Sequence, residues 1–235
     1  MLIRWIGQAG YVFKSQSTEI IIDPYLSDVV NKVANRPRLL PPPILPKDIR
    51  ADAVVCTHNH LDHLDTEAIA GMDKEKILFI APYDCVQKLK ELGCKKILSL
   101  DEGQATWVGD FELTAVFADH TVPAIGIIAK CEDLILYFSG DTLYNDKLQD
   151  IRFFEPDVMF ICINGKLGNM NVDEAVRLTE IINPRLAVPT HYGMFASNTE
   201  DPKKYLLRVN GGFEMEFNRE YKLSKQGEKV LCSAI

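Results

Sequence analysis

Short apolar runs broken by glycine and polar turns open the chain. Residues 2–6, 11–13 and 19–22 are rich in β-branched and aromatic side chains, with Gly7, Gly10 and a polar stretch at 15–18 between them, and this pattern predicts an antiparallel meander. Asp23 and Pro24 end the third run. Residues 29–50 then carry Pro37, Pro41, Pro42, Pro43 and Pro46 with few apolar positions at regular spacing. That stretch is expected as a surface loop, either a flap over a site or, with the exposed sheet edges, a homo-oligomer contact.

The apolar run 53–56 predicts a buried strand, which feeds directly into Thr57-His58-Asn59-His60-Leu61-Asp62-His63. Next come a strand at 77–80, a helix at 83–92 stopped by Gly93, and a strand at 96–100. A second series of strands follows at 106–108, 111–117, 125–129 and 134–138 without helices between them. Beyond it the pattern predicts a strand at 158–163, a helix at 172–182 opened by Asn171 and closed before Pro184, and a strand at 186–189. A short helix near 203–209 and strands at 213–217 and 228–232 complete the chain. Consecutive strands without helices favour antiparallel pairing over a doubly wound parallel sheet. Two strand-rich halves, each followed by helices, make the expected fold class α/β: an αββα sandwich of two mainly antiparallel or mixed sheets with outer helices. The expected organisation is one domain over residues 1–235.

With 47% hydrophobic and 25% charged residues, the chain has the balance of a globular protein able to bury a sizeable core. A net charge of −7 argues against nucleic acid as a partner, since phosphate backbones are bound by clustered Lys and Arg. A small anionic substrate stays compatible, because a metal site is a local positive charge. No apolar run approaches bilayer-spanning length, and residues 1–6 read as a strand rather than a secretory signal, so no membrane is expected as a partner. Six scattered cysteines with no CxxC pair read as buried free thiols and point to the reducing cytoplasm.

The chain has five histidines, and three of them, His58, His60 and His63, fall within six positions beside Asp62. A single histidine usually packs in a core or faces solvent. Clustered imidazoles beside a carboxylate have little structural use, whereas they are the common donor set for Zn²⁺ and similar ions. A strand end turning into a helix directs alternate residues at two neighbouring points, so one segment is able to serve two ions. His120, Asp141 and His191 each stand just past another predicted strand, where enzyme sites collect. Gly140 before Asp141 allows close backbone approach.

The order His58-x-His60-x-Asp62-His63, then His120, then Gly140-Asp141-Thr142, then His191 resembles the five-motif signature of the metallo-β-lactamase superfamily, over residues 5–195. The resemblance implies one metal held by His58, His60 and His120, a second held by Asp62, His63 and His191, and Asp141 bridging both. Asn164-Gly165-Lys166, Asn169-Met170, and His191-Tyr192-Gly193-Met194-Phe195 with Asn198-Thr199 resemble the L-ascorbate-6-phosphate lactonase branch. The implied reaction is hydrolysis of a small phosphorylated lactone or ester by a hydroxide shared between two divalent cations, Zn²⁺, Mn²⁺ or Fe²⁺. Asp62, Asp141 and His191 would carry the chemistry. Lys166, in the loop after a strand, is expected to hold a substrate anion, with Asn164 and Asn169 donating hydrogen bonds and Tyr192 facing the pocket. Asp23 and Thr190 are expected to fix ligand imidazoles from behind. The alternatives are a non-catalytic metal-binding scaffold and a phosphodiesterase of the same fold.

Overall fold

Three strands fold back on one another at the start of the chain. β1 (Leu2–Gly7), β2 (Gly10–Lys14) and β3 (Glu19–Ile22) pair antiparallel, as their glycine-punctuated runs require. The computed structural model describes residues 1–235. After β3 come helix α1 (Val29–Ala34), β4 (Ala53–Val55), helix α2 (Thr66–Gly71), β5 (Leu78–Ala81), helix α3 (Tyr83–Glu91) and β6 (Lys96–Ser99). Four strands then meander: β7 (Ala105–Val108), β8 (Phe111–Phe117), β9 (Ile125–Cys131) and β10 (Leu134–Phe138). β11 (Val158–Cys162), helix α4 (Val172–Ile182), β12 (Leu186–Thr190), the short helix α5 (Lys203–Leu206), β13 (Glu220–Gln226) and β14 (Lys229–Ala234) follow.

The strands form two sheets flanked by helices. The first has eight strands in the order β14-β13-β1-β2-β3-β4-β5-β6, the second six in the order β12-β11-β10-β9-β8-β7. The chain returns at its end to the first sheet, where β13 pairs antiparallel with β1.

Alternation along β3 shows how the layers are assigned. Ile20 and Ile22 join the cluster between the sheets, while Ile21 points the other way and packs with Ala68 and Ile69 of α2 and Leu89 of α3. The inter-sheet cluster is centred on aromatic rings: Phe138 stacks on Phe160 with centroids 4.3 Å apart, and Tyr11 and Phe13 of the facing sheet lie 4.8 Å from Phe160 and 5.0 Å from Phe138. Helix α4 covers the second sheet, nucleated by a reciprocal capping box between Asn171 and Glu174.

The sheets are mixed, as expected: β3-β4-β5-β6 and β10-β11-β12 run parallel, α2, α3 and α4 serving as the crossovers from β4 to β5, β5 to β6 and β11 to β12, and the other pairs are antiparallel. Two expectations change. Within residues 29–50, α1 forms because Val29 and Val30 bury against Tyr25, Met194 and Phe195, and a 3₁₀ turn forms at Pro46–Asp48. The final hairpin lies at β13 and β14. Residues 213–217 are irregular, with Phe213 N donating to Ala187 O at 2.9 Å.

Candidate metal centre

Strand ends deliver the site. His58, His60, Asp62 and His63 lie between β4 and α2, whose N-cap Asp65 accepts from Ala68 N at 2.9 Å. His120 follows β8, Asp141 follows β10 through Gly140 at φ 58°, and His191 follows β12. Gln8 and Asp23 occupy the turns after β1 and β3. Gln8, Asp23 and His191 all have positive φ, at 54°, 45° and 61°. Left-handed backbone at such residues costs energy and concentrates at functional sites.

The structure brings all seven expected side chains together in two groups. His58, His60, His120 and Asp141 form one, and Asp62, His63 and His191 the other, with the donor atoms of each group within 4.8 Å of one another. His60 Nδ1 lies 3.0 Å from His58 Nε2 and 3.2 Å from His120 Nε2. Asp141 stands between the groups, its oxygens 3.4 Å from His63 Nε2, 3.1 Å from His191 Nε2 and 3.9 Å from His120 Nε2.

Acceptors behind three rings fix which nitrogen faces inward. His63 Nδ1 donates to Asp23 Oδ2 at 2.7 Å, and His120 Nδ1 donates to Gly168 O at 2.9 Å. Thr57 Oγ1 donates to Asp23 Oδ2 at 2.7 Å and accepts from His58 Nδ1 at 3.1 Å. Each ring therefore turns an Nε2 lone pair to the centre. His63 Nε2 and Asp141 Oδ1 are buried there without a hydrogen-bond partner. Buried polar atoms are almost always satisfied, so orphaned imidazole and carboxylate donors converging on shared points fit divalent cations.

Electrostatics divide the cluster. Burial and the neighbouring imidazoles lower His58 well below the usual imidazole range, and burial with His120 lowers His60. Burial works against protonated His191 too, but Asp141 and Asp62 outweigh it and raise the group to about 9. Burial would lift Asp62 and Asp141, yet His63 and His191 hold both carboxylates below their ordinary range. The carboxylates thus stay ionised at neutral pH.

The residues expected at the substrate stand elsewhere. Asn164 is buried and donates to Asn198 Oδ1 at 2.8 Å while accepting from Asn169 Nδ2 at 3.0 Å, so both asparagines brace a loop. Lys166 Nζ donates to Ser197 O at 3.2 Å, and Tyr192 packs on Trp5 with ring centroids 4.9 Å apart. Thr190 is buried with no hydrogen bond to a ligand ring, whereas Asp23 makes one. A cleft of about 430 Å³ opens instead over His60, Asp62, Asp141 and His191, walled by Val30, Arg36, Leu61, Leu167, Phe195 and Asn198. Gln8 was not foreseen either. It is fully buried, and its Nε2 donates to Asp62 Oδ2 at 2.8 Å and lies 3.0 Å from His191 Nε2. Its one signal in the sequence is a polar residue between Gly7 and Gly10 in the tight turn after β1.

A two-sheet sandwich with outer helices and a His/Asp cluster at one rim defines a class of proteins built around such a centre. The pattern of the beta-lactamase superfamily domain matches residues 18–192, and the chain belongs to that family. A UPF0173 metal-dependent hydrolase of Archaeoglobus fulgidus is 27% identical over 236 residues, covering 92% of this chain and 94% of that protein. Igni18, a metallo hydrolase from Ignicoccus hospitalis, superposes with a TM-score of 0.77 at 21% identity over 93% of this chain and 96% of its own. An isothiocyanate hydrolase from Delia radicum gut bacteria gives 0.78 at 17% identity over 94% and 98%. These two structures share the fold.

Proposed function

We propose that the chain hydrolyses a small anionic lactone or ester, phosphorylated lactones being the first class to try, with two divalent cations at its His/Asp centre. As a metal-dependent hydrolase of this superfamily, it has its machinery at the rim where the strands end. The convergence of seven donors in two adjoining groups, with His63 Nε2 and Asp141 Oδ1 buried and unpartnered, carries the reading. His58, His60 and His120 would hold one ion, Asp62, His63 and His191 the other, and Asp141 both. Bound there, Zn²⁺, Mn²⁺ or Fe²⁺ would supply Lewis-acid polarisation and an acidified water.

The protein's own groups do the rest. Asp62 lines the cleft and its side chain is 17% exposed, so it is the ionised carboxylate placed to take a proton as water adds to the carbonyl carbon. Gln8 fixes that carboxylate from behind through Oδ2. Asp23, Thr57 and Gly168 keep the imidazoles in one tautomer. The apolar wall excludes bulk water from one side of the cleft and strengthens the local field. The likeness of residues 164–170 and 191–199 to the L-ascorbate-6-phosphate lactonase branch makes that lactone the first substrate to test.

The experiment is ring opening of L-ascorbate 6-phosphate by protein loaded with Mn²⁺ or Zn²⁺, beside a panel of phosphorylated lactones and simple esters. Saturable turnover that Asp62→Asn abolishes supports the reading. Equal activity of wild type and Asp62→Asn on every substrate, with metal still bound, would favour a scaffold.

A further inference from the structure

The cleft wall carries one cation that nothing in the protein neutralises. Arg36 lines the cleft and is half-buried, and it takes part in no ion pair and no side-chain hydrogen bond. Its neighbours are committed. Lys32 pairs with Glu67 at 2.6 Å, Arg38 donates to Ser27 O at 2.8 Å and to Leu40 O, and Lys166 is turned onto Ser197 O. The two carboxylates that line the cleft, Asp62 and Asp141, belong to the ligand groups.

The backbone presents this guanidinium from a fixed position. Asn35 caps α1 in the left-handed region at φ 52°, and Pro37 confines the residue before it to extended conformations. The segment is tied down just after Arg36, because Leu39 N donates to Met194 O at 2.8 Å and the Arg38 backbone bridges to Phe195. The cleft that Arg36 lines has an apolar part, formed by Val30, Ala34, Leu61, Leu167 and Phe195. A partly buried cation lacks part of its hydration, and an incoming oxyanion restores the lost interaction.

We infer that Arg36 is the anion-recognition residue of the cleft, and that the substrate carries a carboxylate or phosphate on an apolar body beside the scissile lactone or ester. This rests on the hydrolytic reading given above. Arg36 selects substrate by charge, while the donor groups at the cleft floor do the chemistry.

Two measurements keep the two readings apart. In the first, metal-loaded wild type, Arg36→Ala, Arg36→Lys and Arg36→Glu are titrated with phenyl phosphate, benzoate and neutral benzamide. A charge-assisted contact predicts that Arg36→Ala weakens the preferred anion about tenfold or more relative to benzamide. Arg36→Glu should weaken it further, and Arg36→Lys should recover part of the loss, since it restores charge without the planar fork. Whichever of phenyl phosphate and benzoate loses more identifies the oxyanion.

In the second, phenyl hydrogen succinate and neutral phenyl butyrate are compared as substrates. The anionic-to-neutral preference should fall by a similar factor in Arg36→Ala, through KM rather than kcat. Arg36-dependent anion binding in a protein that cleaves no ester or lactone would sustain this inference and sink the hydrolytic reading. Ester turnover with one unchanged charge preference and one anion affinity across all four proteins would overturn the role of Arg36.

Discussion

His63 Nδ1 and Asp23 Oδ2 stand 2.7 Å apart with both side chains out of contact with solvent, and the same carboxylate accepts from Thr57 N and Thr57 Oγ1, each at 2.7 Å. One buried aspartate thereby holds the loop carrying four of the expected ligands and sets the ring orientation of His63 directly and of His58 through Thr57. Asp23→Asn keeps the shape but turns an acceptor into a donor. We expect the affinity for the ion at the His63 group to fall about ten- to hundredfold, the usual effect of losing such support. Competition with a chromophoric chelator measures it, and retention equal to wild type would remove Asp23 from this role.

Gln8 gives a different prediction, because it acts on Asp62 from the other side. Its backbone carbonyl oxygen accepts from Trp5 Nε1 at 3.0 Å and from His191 N at 3.1 Å, so the residue is locked in place while its side-chain amide nitrogen holds Asp62. Gln8→Ala removes that donor, and Gln8→Glu sets a second carboxylate against Asp62. Turnover should fall in the order wild type, Ala, Glu. Unfolding free energy of the alanine variant should drop by about 1–3 kcal/mol for the lost buried partner. A Glu variant as active as wild type would show that the amide does not position Asp62.

The candidate donor cluster was legible in the sequence for a physical reason. Imidazole and carboxylate donors are recognisable by residue type, and here they follow apolar strand-like runs, and both properties are local. His58, His60, His63, His120, Asp141 and His191 declared themselves in this way, and α4 did so through Asn171 and Glu174. The residues around the substrate cleft had no such marker. Arg36 and Phe195 share a wall because α1 packs on Tyr25, Met194 and Phe195, a contact between positions more than 150 apart in the chain. Lys166 looked like the anion anchor by its loop and its charge, but its amine turns onto a carbonyl. Which strands of the mixed sheets run parallel was hidden for a similar reason. Strand direction is set by which strands pair, and the apolar pattern of a four-residue strand does not depend on its direction.

A stability prediction concerns the far side of the sandwich. Asp157 is fully buried and receives Arg185 Nη1 at 2.8 Å, Lys225 Nζ at 2.9 Å and Ile135 N at 3.0 Å. Lys225 lies on β13 of the first sheet and Ile135 on β10 of the second, so this carboxylate stitches the final hairpin to the opposite layer. Asp157→Asn should cost about 3 kcal/mol in urea unfolding, since it leaves Lys225 without its carboxylate and Arg185 with only Glu228. At a temperature where the variant remains folded, ester turnover should persist. A loss well under 1 kcal/mol would mean that Arg185 and Lys225 resolvate freely.

The buried thiols make stability depend on pH in the alkaline range. Burial pushes Cys85 and Cys162 up to about 12 and Cys131 up to about 11, while a thiol in the unfolded chain titrates near 9.0. The folded state therefore keeps these protons where the unfolded state has released them. A group whose folded value is raised contributes full stability below its unfolded value and loses that contribution as pH rises toward the folded one. The thermal midpoint should show no thiol-linked loss up to about pH 8.5 and should fall between pH 9 and 11. Cys131→Ala should show a shallower fall over that window than wild type, because one releasable proton is gone. Thiol labelling at pH 8 in the native state should be correspondingly slow at Cys85, Cys131 and Cys162. An alkaline slope identical in wild type and Cys131→Ala would mean that other groups set the alkaline limit.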